Sequence, residues 1–232
     1  MDSIFDSHMA ARSASDINRA MGRVYSYMAL AVLVSMLTSY GVGTNHELML
    51  TIFGTPLKWV VLFAPLVFVF LVPVLLNAGI GVLGGVLTLS AFAALMGLSF
   101  ATIFVMYSMG SIFTAFMGAG VLFGVMSFYG YFTKQSLENV GQFMMIGLIA
   151  IIIASLINIF IGSTVLQMVI SAIAIVVFLG LTAYDTQTIR EQLMDNVDST
   201  AEIYGALTLY LDFINLFISL LQLIGVAPGK DD

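Results

Sequence analysis

The sequence predicts an all-α membrane protein with seven transmembrane helices. Of its 232 residues, 60% are hydrophobic and only 9% are charged, and the mean hydropathy is +1.07. A soluble domain carries about 25% charged residues. Two long stretches hold no charged residue, one between Lys58 and Lys134 and the other between Glu138 and Asp185. Such stretches are longer than the core elements of soluble proteins, so the chain is expected to cross a membrane repeatedly.

A transmembrane helix needs about 20 mostly apolar residues, and glycine, proline, asparagine and serine mark the turns between helices. On that basis the predicted spans are residues 21–42, 57–76, 82–107, 112–132, 143–160, 165–189 and 203–225. The most polar internal connection is expected at residues 190–200. The chain is therefore divided into a polar N-terminal tail (1–20), a seven-helix domain (21–226) and a short C-terminal tail (227–232).

The distribution of basic residues predicts the orientation, because cytoplasmic segments of membrane proteins are enriched in lysine and arginine. With the amino terminus inside, the basic residues of the cytoplasmic segments are Arg12, Arg19, Arg23, Lys134 and Arg190, and those outside are Lys58 and Lys230. This division predicts a cytoplasmic N-terminus and an external C-terminus.

Several functional classes receive no support from the sequence. The chain has no cysteine, which excludes disulfides, thiol catalysis and cysteine metal sites. A P-loop, a nucleophile elbow and a His-Glu zinc motif are all missing, so the protein is not expected to be an enzyme or to bind a cofactor tightly. The net charge of −6 is spread over tails and loops without a basic patch, so nucleic acid is not an expected partner.

Two acidic residues lie in or near apolar spans: Asp212 within the seventh and Asp185 near the end of the sixth. A carboxylate inside a membrane helix costs about 2.5–3.5 kcal/mol on insertion scales, so it usually has a function. Small and polar residues recur around Asp212 at steps of three and four, which places them on one helix face. These residues are Gly205, Thr208, Asp212, Asn215, Ser219 and Gln222. The face is expected to point into the protein or to line a pore.

Asp185 shares a helix face with Thr182, and it enters the membrane from the same side as Asp212 because the two helices are consecutive and antiparallel. The spacing therefore permits the two acids to meet. Two carboxylates at hydrogen-bonding distance in a low dielectric share one proton. Loss of that proton leaves repulsion between like charges and attracts a cation, which is a physical route to a pH-gated cation path. In the alternative interpretation, each aspartate simply ties helices together by hydrogen bonds.

Three segments resemble the Bax inhibitor (transmembrane Bax inhibitor motif) family: residues 126–134 (MSFYGYFTK), 181–187 (LTAYDTQ) and 205–217 (GALTLYLDFINLF). The similarity extends over about residues 20–225. It implies a seven-helix fold in which the last helix lies between two three-helix layers. It also implies a pH-sensitive calcium leak whose sensor is the pair Asp185 and Asp212, which would contact calcium transiently. Thr182, Thr208, Asn215 and Ser219 would support the pair or line the pore.

Some members of that family place an arginine in the second helix beside the acids, whereas the second span here has only Lys58, at its rim. The short loops and compact length suggest a bacterial protein of the inner membrane. The resemblance further implies a role in stress response and, as partners, the lipid bilayer, calcium ions and protons. A second hypothesis is a regulatory membrane protein that does not transport ions. It would bind and modulate a membrane-anchored ATP-dependent protease through the tail at residues 2–18. A proton-coupled transporter is disfavoured, because no inverted repeat is visible.

Overall fold

The computed structural model describes residues 14–195 and 199–225, and this part of the chain forms nine helices joined by short connections. The helices are α1 (Ala14–Gly43), α2 (His46–Phe53), α3 (Leu57–Asn77), α4 (Gly81–Phe100), α5 (Ile103–Met106), α6 (Met109–Phe132), α7 (Glu138–Ile161), α8 (Thr164–Asp195) and α9 (Ser199–Ile224). Seven segments are long and apolar enough to cross a membrane, with α4 and α5 together forming one of them. The predicted all-α fold with seven spans is thereby confirmed.

The first and sixth spans are longer than predicted. Helix α1 begins at Ala14, seven residues before the predicted start at Met21. The side chains of Ile17, Ala20, Met21 and Val24 are buried at steps of three and four, and this apolar face continues the helix toward the amino terminus. Residues 1–13 and 227–232 of the two predicted tails lie outside the described residues.

The expectation that the polar connection before the last span begins at Arg190 was wrong. Helix α8 continues to Asp195, and α9 begins at Ser199. The reason is that Ile189 and Leu193, one turn apart, are both buried and extend the apolar face past Arg190. Polar composition indicated a loop, but packing of this face kept the segment helical.

The carboxyl-terminal helix is central, as predicted. Helices α1, α3 and α4 pack together on one side of α9, and α6, α7 and α8 pack together on the other. Helix α9 contacts α1, α3, α4, α6 and α8, and its largest fully buried side chains are Ile203, Leu209, Tyr210, Leu216 and Leu221. Many apolar side chains of α3 and α7 are instead exposed and face the lipid.

Glycines allow two of the closest helix contacts. Gly130 of α6 lies against the backbone of α8 at Ala183, and Gly97 of α4 lies against the backbone of α1 at Ser35. A side chain at either glycine would collide with main-chain atoms. Small residues at such contacts let helices approach closely in membranes, where van der Waals packing drives association. The contact at Gly130 holds α6 against α8 within one turn of Asp185.

The opposite ends of the bundle form two faces. The amino-terminal face holds the start of α1, the end of α6, the end of α8 and the start of α9. The carboxyl-terminal face, at the opposite end, holds the end of α1 and the end of α9.

Candidate functional site

The side chains of Asp185 and Asp212 meet at the interface between α8 and α9, within hydrogen-bonding reach of each other. Asp212 is buried and Asp185 is partly buried. No donor group of the described residues contacts the buried Oδ2 atom of Asp212. Ionised carboxylates only accept hydrogen bonds, so this contact is favourable only when one carboxyl carries a proton. The structure therefore brings together the two acids that the sequence singles out.

A glycine positions the two helices that carry the acids. Gly205 of α9 packs directly against Ile189 of α8, one turn from Asp185 along α8. A side chain at Gly205 would press on the Ile189 side chain, which would have to shift. Close approach at this point keeps short aspartate side chains within reach of each other, because each spans only one methylene from its helix.

The four supporting residues predicted from the sequence lie on α8 and α9, and each donates a hydrogen bond to a carbonyl oxygen of its own helix. The bonds run from Thr182 to Phe178 (2.7 Å), Thr208 to Tyr204 (3.1 Å), Asn215 to Leu211 (2.8 Å) and Ser219 to Asn215 (2.7 Å). A polar group satisfied within its own helix can be buried at little cost. These four residues therefore need no partner on a neighbouring helix, in contrast to the two acids.

A polar cavity of about 410 Å³ leads from the amino-terminal face to Asp185. Its walls come from the end of α3, the end of α8 and the start of α9, and they include Asn77, Asp185, Thr188, Gln192, Thr200, Tyr204 and Thr208. The Tyr204 hydroxyl donates to the carbonyl oxygen of Pro73 (3.1 Å), which ties α9 to α3 beside the cavity. Of the four supporting residues, Thr208 lines this cavity. Water and ions therefore have a polar route to Asp185 from one face.

An ion pair between Arg23 of α1 and Glu202 of α9 was not anticipated from the sequence. The guanidinium donates through Nε and Nη2 to the two carboxylate oxygens of Glu202, at 2.6 and 2.5 Å. Glu202 is only 2% exposed. Two parallel charge-assisted bonds are a strong and directional contact. The residues are 179 positions apart, so sequence spacing carries no signal for their pairing. Lys58 lies at the opposite face, where its ammonium group stacks over Trp59.

The residues that follow Asp185 connect α8 to two other parts of the bundle. The Thr186 and Ser127 hydroxyls are 3.0 Å apart, and the Ser127 and Tyr25 hydroxyls are 2.6 Å apart, which links α8, α6 and α1. The Gln187 side chain accepts from the Leu137 backbone (2.8 Å) and donates to the Gln135 carbonyl (2.9 Å). It thereby holds the connection between α6 and α7. These contacts account for the polar residues that follow Asp185 in the segment 181–187.

Comparison with known proteins gives a consistent result over nearly the whole chain. Residues 17–228 match the family model described as "Inhibitor of apoptosis-promoting Bax1". An uncharacterized protein of Rickettsia prowazekii is 39% identical over 220 residues, covering 90% of each chain. The inner membrane protein YbhL of Escherichia coli K12 is 34% identical over 235 residues, covering 97% of this chain and 99% of YbhL. The chain therefore belongs to the Bax inhibitor family.

Proposed function

We propose that this protein is a pH-sensitive cation leak, with calcium as the transported ion, and that Asp185 and Asp212 form its gate. The observation that carries the proposal is that the two carboxyl groups lie together between α8 and α9 at the end of a polar cavity. Family membership supports the same function. Calcium is the substrate of this path and not a resident cofactor.

One shared proton would hold α8 and α9 together at the acid pair. When the proton leaves, two negative charges face each other in a medium of low dielectric, where their repulsion is several times stronger than in water. The helices then separate at this point, or a cation enters and neutralises the charges. Carboxylate oxygens are the ligands that calcium prefers, so Asp185 and Asp212 would contact the ion as it passes. The cavity would supply protons and cations from the amino-terminal face.

The orientation that fits this mechanism places the amino-terminal face in the cytoplasm. Arg19, Arg23, Lys134 and Arg190 lie toward this face and Lys58 toward the opposite one. This is the distribution expected when the amino-terminal face is cytoplasmic. The name of the relative YbhL places that protein in the inner membrane, which supports the same membrane for this chain.

Calcium flux into proteoliposomes, followed with an enclosed dye from pH 5 to pH 8, tests the proposal. We expect flux to rise with pH in the wild-type protein, because the pair loses its proton. Asp185→Asn and Asp212→Asn should abolish this dependence. Glu191→Gln is the matched control, since Glu191 is an exposed acid on the same helix, and it should behave as wild type. Flux that is indifferent to pH and to both aspartate substitutions would refute the gate.

The protease-regulator hypothesis makes a different prediction for the same assay. Deletion of residues 2–13 should leave the calcium flux and its pH dependence unchanged if the leak resides in the helical bundle. If the protein acts only through its tail, no flux should be seen with either chain. Modulation of a membrane-anchored protease should then disappear on deletion.

A further inference from the structure

A second cavity, of about 300 Å³, lies toward the carboxyl-terminal face between α1, α5, α6 and α9. Its innermost wall is formed by Ile214 and Phe217 of α9, both of which are buried. Its outermost wall includes Leu37 of α1 and Phe113 of α6, which are 65% and 67% exposed. In a bundle that crosses a membrane, exposed apolar side chains within the spans contact lipid. The cavity therefore extends from the lipid-facing surface to the central helix.

Hydrogen bonds link α1 and α6 near the amino-terminal face. In their amino-terminal-face halves, the Tyr25 hydroxyl bonds to Ser127, and the Tyr131 hydroxyl donates to Asn18. Toward the carboxyl-terminal face, the cavity separates the two helices. Phe217 of α9 fills only the inner end of this gap. These hydrogen bonds therefore lie at the end of α1 and α6 opposite to the apolar cavity.

Water is a poor occupant of this cavity. A volume of this size corresponds to about ten water molecules at roughly 30 Å³ each, but each buried water needs two to four polar partners. The polar side chains of the lining are Ser35, Ser39 and Tyr40, and the Ser35 hydroxyl already donates to the carbonyl oxygen of Val32 (3.0 Å). Cavities with apolar walls stay dry and accept apolar guests.

We propose that an acyl chain of a bilayer lipid enters between α1 and α6 and lies against Ile214 and Phe217. The bilayer presents acyl chains directly at the opening, and the walls offer an apolar chain dispersion contacts along its length. The site is distinct from the acid pair and does not depend on the proposed ion leak. It places a lipid chain in contact with the helix that carries Asp212.

Quenching of tryptophan fluorescence by phospholipids brominated in the middle of their acyl chains tests this site. Trp59 is the only tryptophan of the chain, so Trp59→Phe gives a silent background. In that background Phe217→Trp reports on the inner wall of the cavity. Phe178→Trp is the matched control, because Phe178 is a similarly buried phenylalanine on α8. We expect brominated vesicles to quench Phe217→Trp about twofold more strongly than Phe178→Trp, because an acyl chain inside the cavity would contact the reporter but not the control.

The second measurement uses a substitution that fills the cavity with a larger side chain. Ser39 lines the cavity and is buried, so Ser39→Leu places an apolar side chain in the space that the acyl chain would occupy. Combined with Phe217→Trp, it should reduce quenching to the level of the Phe178→Trp control. If Phe217→Trp does not fold, Ile214→Trp replaces it as the reporter. Equal quenching of reporter and control, or quenching unchanged by Ser39→Leu, would show that lipid chains do not enter.

Discussion

The two ends of the interface between α8 and α9 hold their polar side chains in different ways. Toward the amino-terminal face, the interface holds two carboxyl groups, and no donor of the described residues contacts the buried Oδ2 atom of Asp212. Toward the carboxyl-terminal face, it holds only uncharged groups: the Gln222 side chain accepts from Gln167 (2.9 Å) and from Ser171 (2.8 Å). If the acid pair shares a proton, as we propose, the first end depends on pH, whereas the hydrogen bonds of the second end involve no titratable group.

The amide cluster at the second end extends to a third helix. Asn158 of α7 donates to the Gln167 side chain (3.1 Å) and accepts from the backbone of Ser163 (3.1 Å). The side-chain oxygens of Gln167 and Asn158 therefore each accept a hydrogen bond from a donor within the protein. A network of this kind rigidifies a buried contact. We infer that α8 and α9 are fixed at the carboxyl-terminal face and are free to respond to pH only near the acid pair.

The largest expected effect concerns the ion pair between Arg23 and Glu202. Arg23→Ala leaves the carboxylate of Glu202 buried without its bidentate partner. Breaking a buried ion pair costs about 3–5 kcal/mol, and we expect about 2 kcal/mol here because the Arg23 side chain is 42% exposed. Thermal unfolding in detergent micelles measures the loss. Arg19→Ala is the control, because its pair with Asp16 (3.6 Å) is exposed and should contribute within about 0.5 kcal/mol. Equal losses of stability in Arg23→Ala and Arg19→Ala would show that the pair with the buried Glu202 contributes no more than an exposed pair.

An intermediate effect is expected in the amide cluster. Gln222→Leu removes the acceptor of both Gln167 and Ser171, and we expect a loss of about 1–2 kcal/mol in the free energy of unfolding. Because no proton is exchanged, the loss should be the same at pH 5 and pH 8. Gln142→Leu, at an exposed position of α7, is the control and should change little. A loss that varied with pH would show that the two ends of the interface are not independent.

The smallest effect is the one that depends on pH. If the folded acid pair shares a proton, as we propose, it keeps a proton that the separated carboxylates of an unfolded chain release well below neutral pH, so the folded state binds more protons. Its stability should therefore fall as pH rises, by about 1 kcal/mol between pH 5 and pH 8. Asp212→Asn supplies a permanent amide donor to Asp185 and should remove this dependence. Glu191→Gln should retain it. A wild-type stability that is flat over this range would exclude a shared proton.

The sequence alone was sufficient to predict the fold class and to identify Asp185 and Asp212 as candidate site residues. Charge-free apolar stretches leave no alternative to membrane helices, and a carboxylate inside such a helix stands out because burying it is costly. The step of three and four residues around Asp212 was also sufficient to place Thr208, Asn215 and Ser219 on the same side of α9. These properties are local, since each depends on composition or on the helical repeat alone.

Tertiary packing decided what local patterns could not. Helix α8 extends into the predicted connection as far as Asp195 because Ile189 and Leu193 are buried, which outweighs the polar composition of the segment. The pairing of Arg23 with Glu202, the polar cavity that reaches Asp185 and the apolar cavity beside Phe217 all join segments far apart in the chain. Such contacts depend on how helices approach each other, and close approach is set by residues such as Gly130 and Gly205 whose partners only the folded bundle reveals.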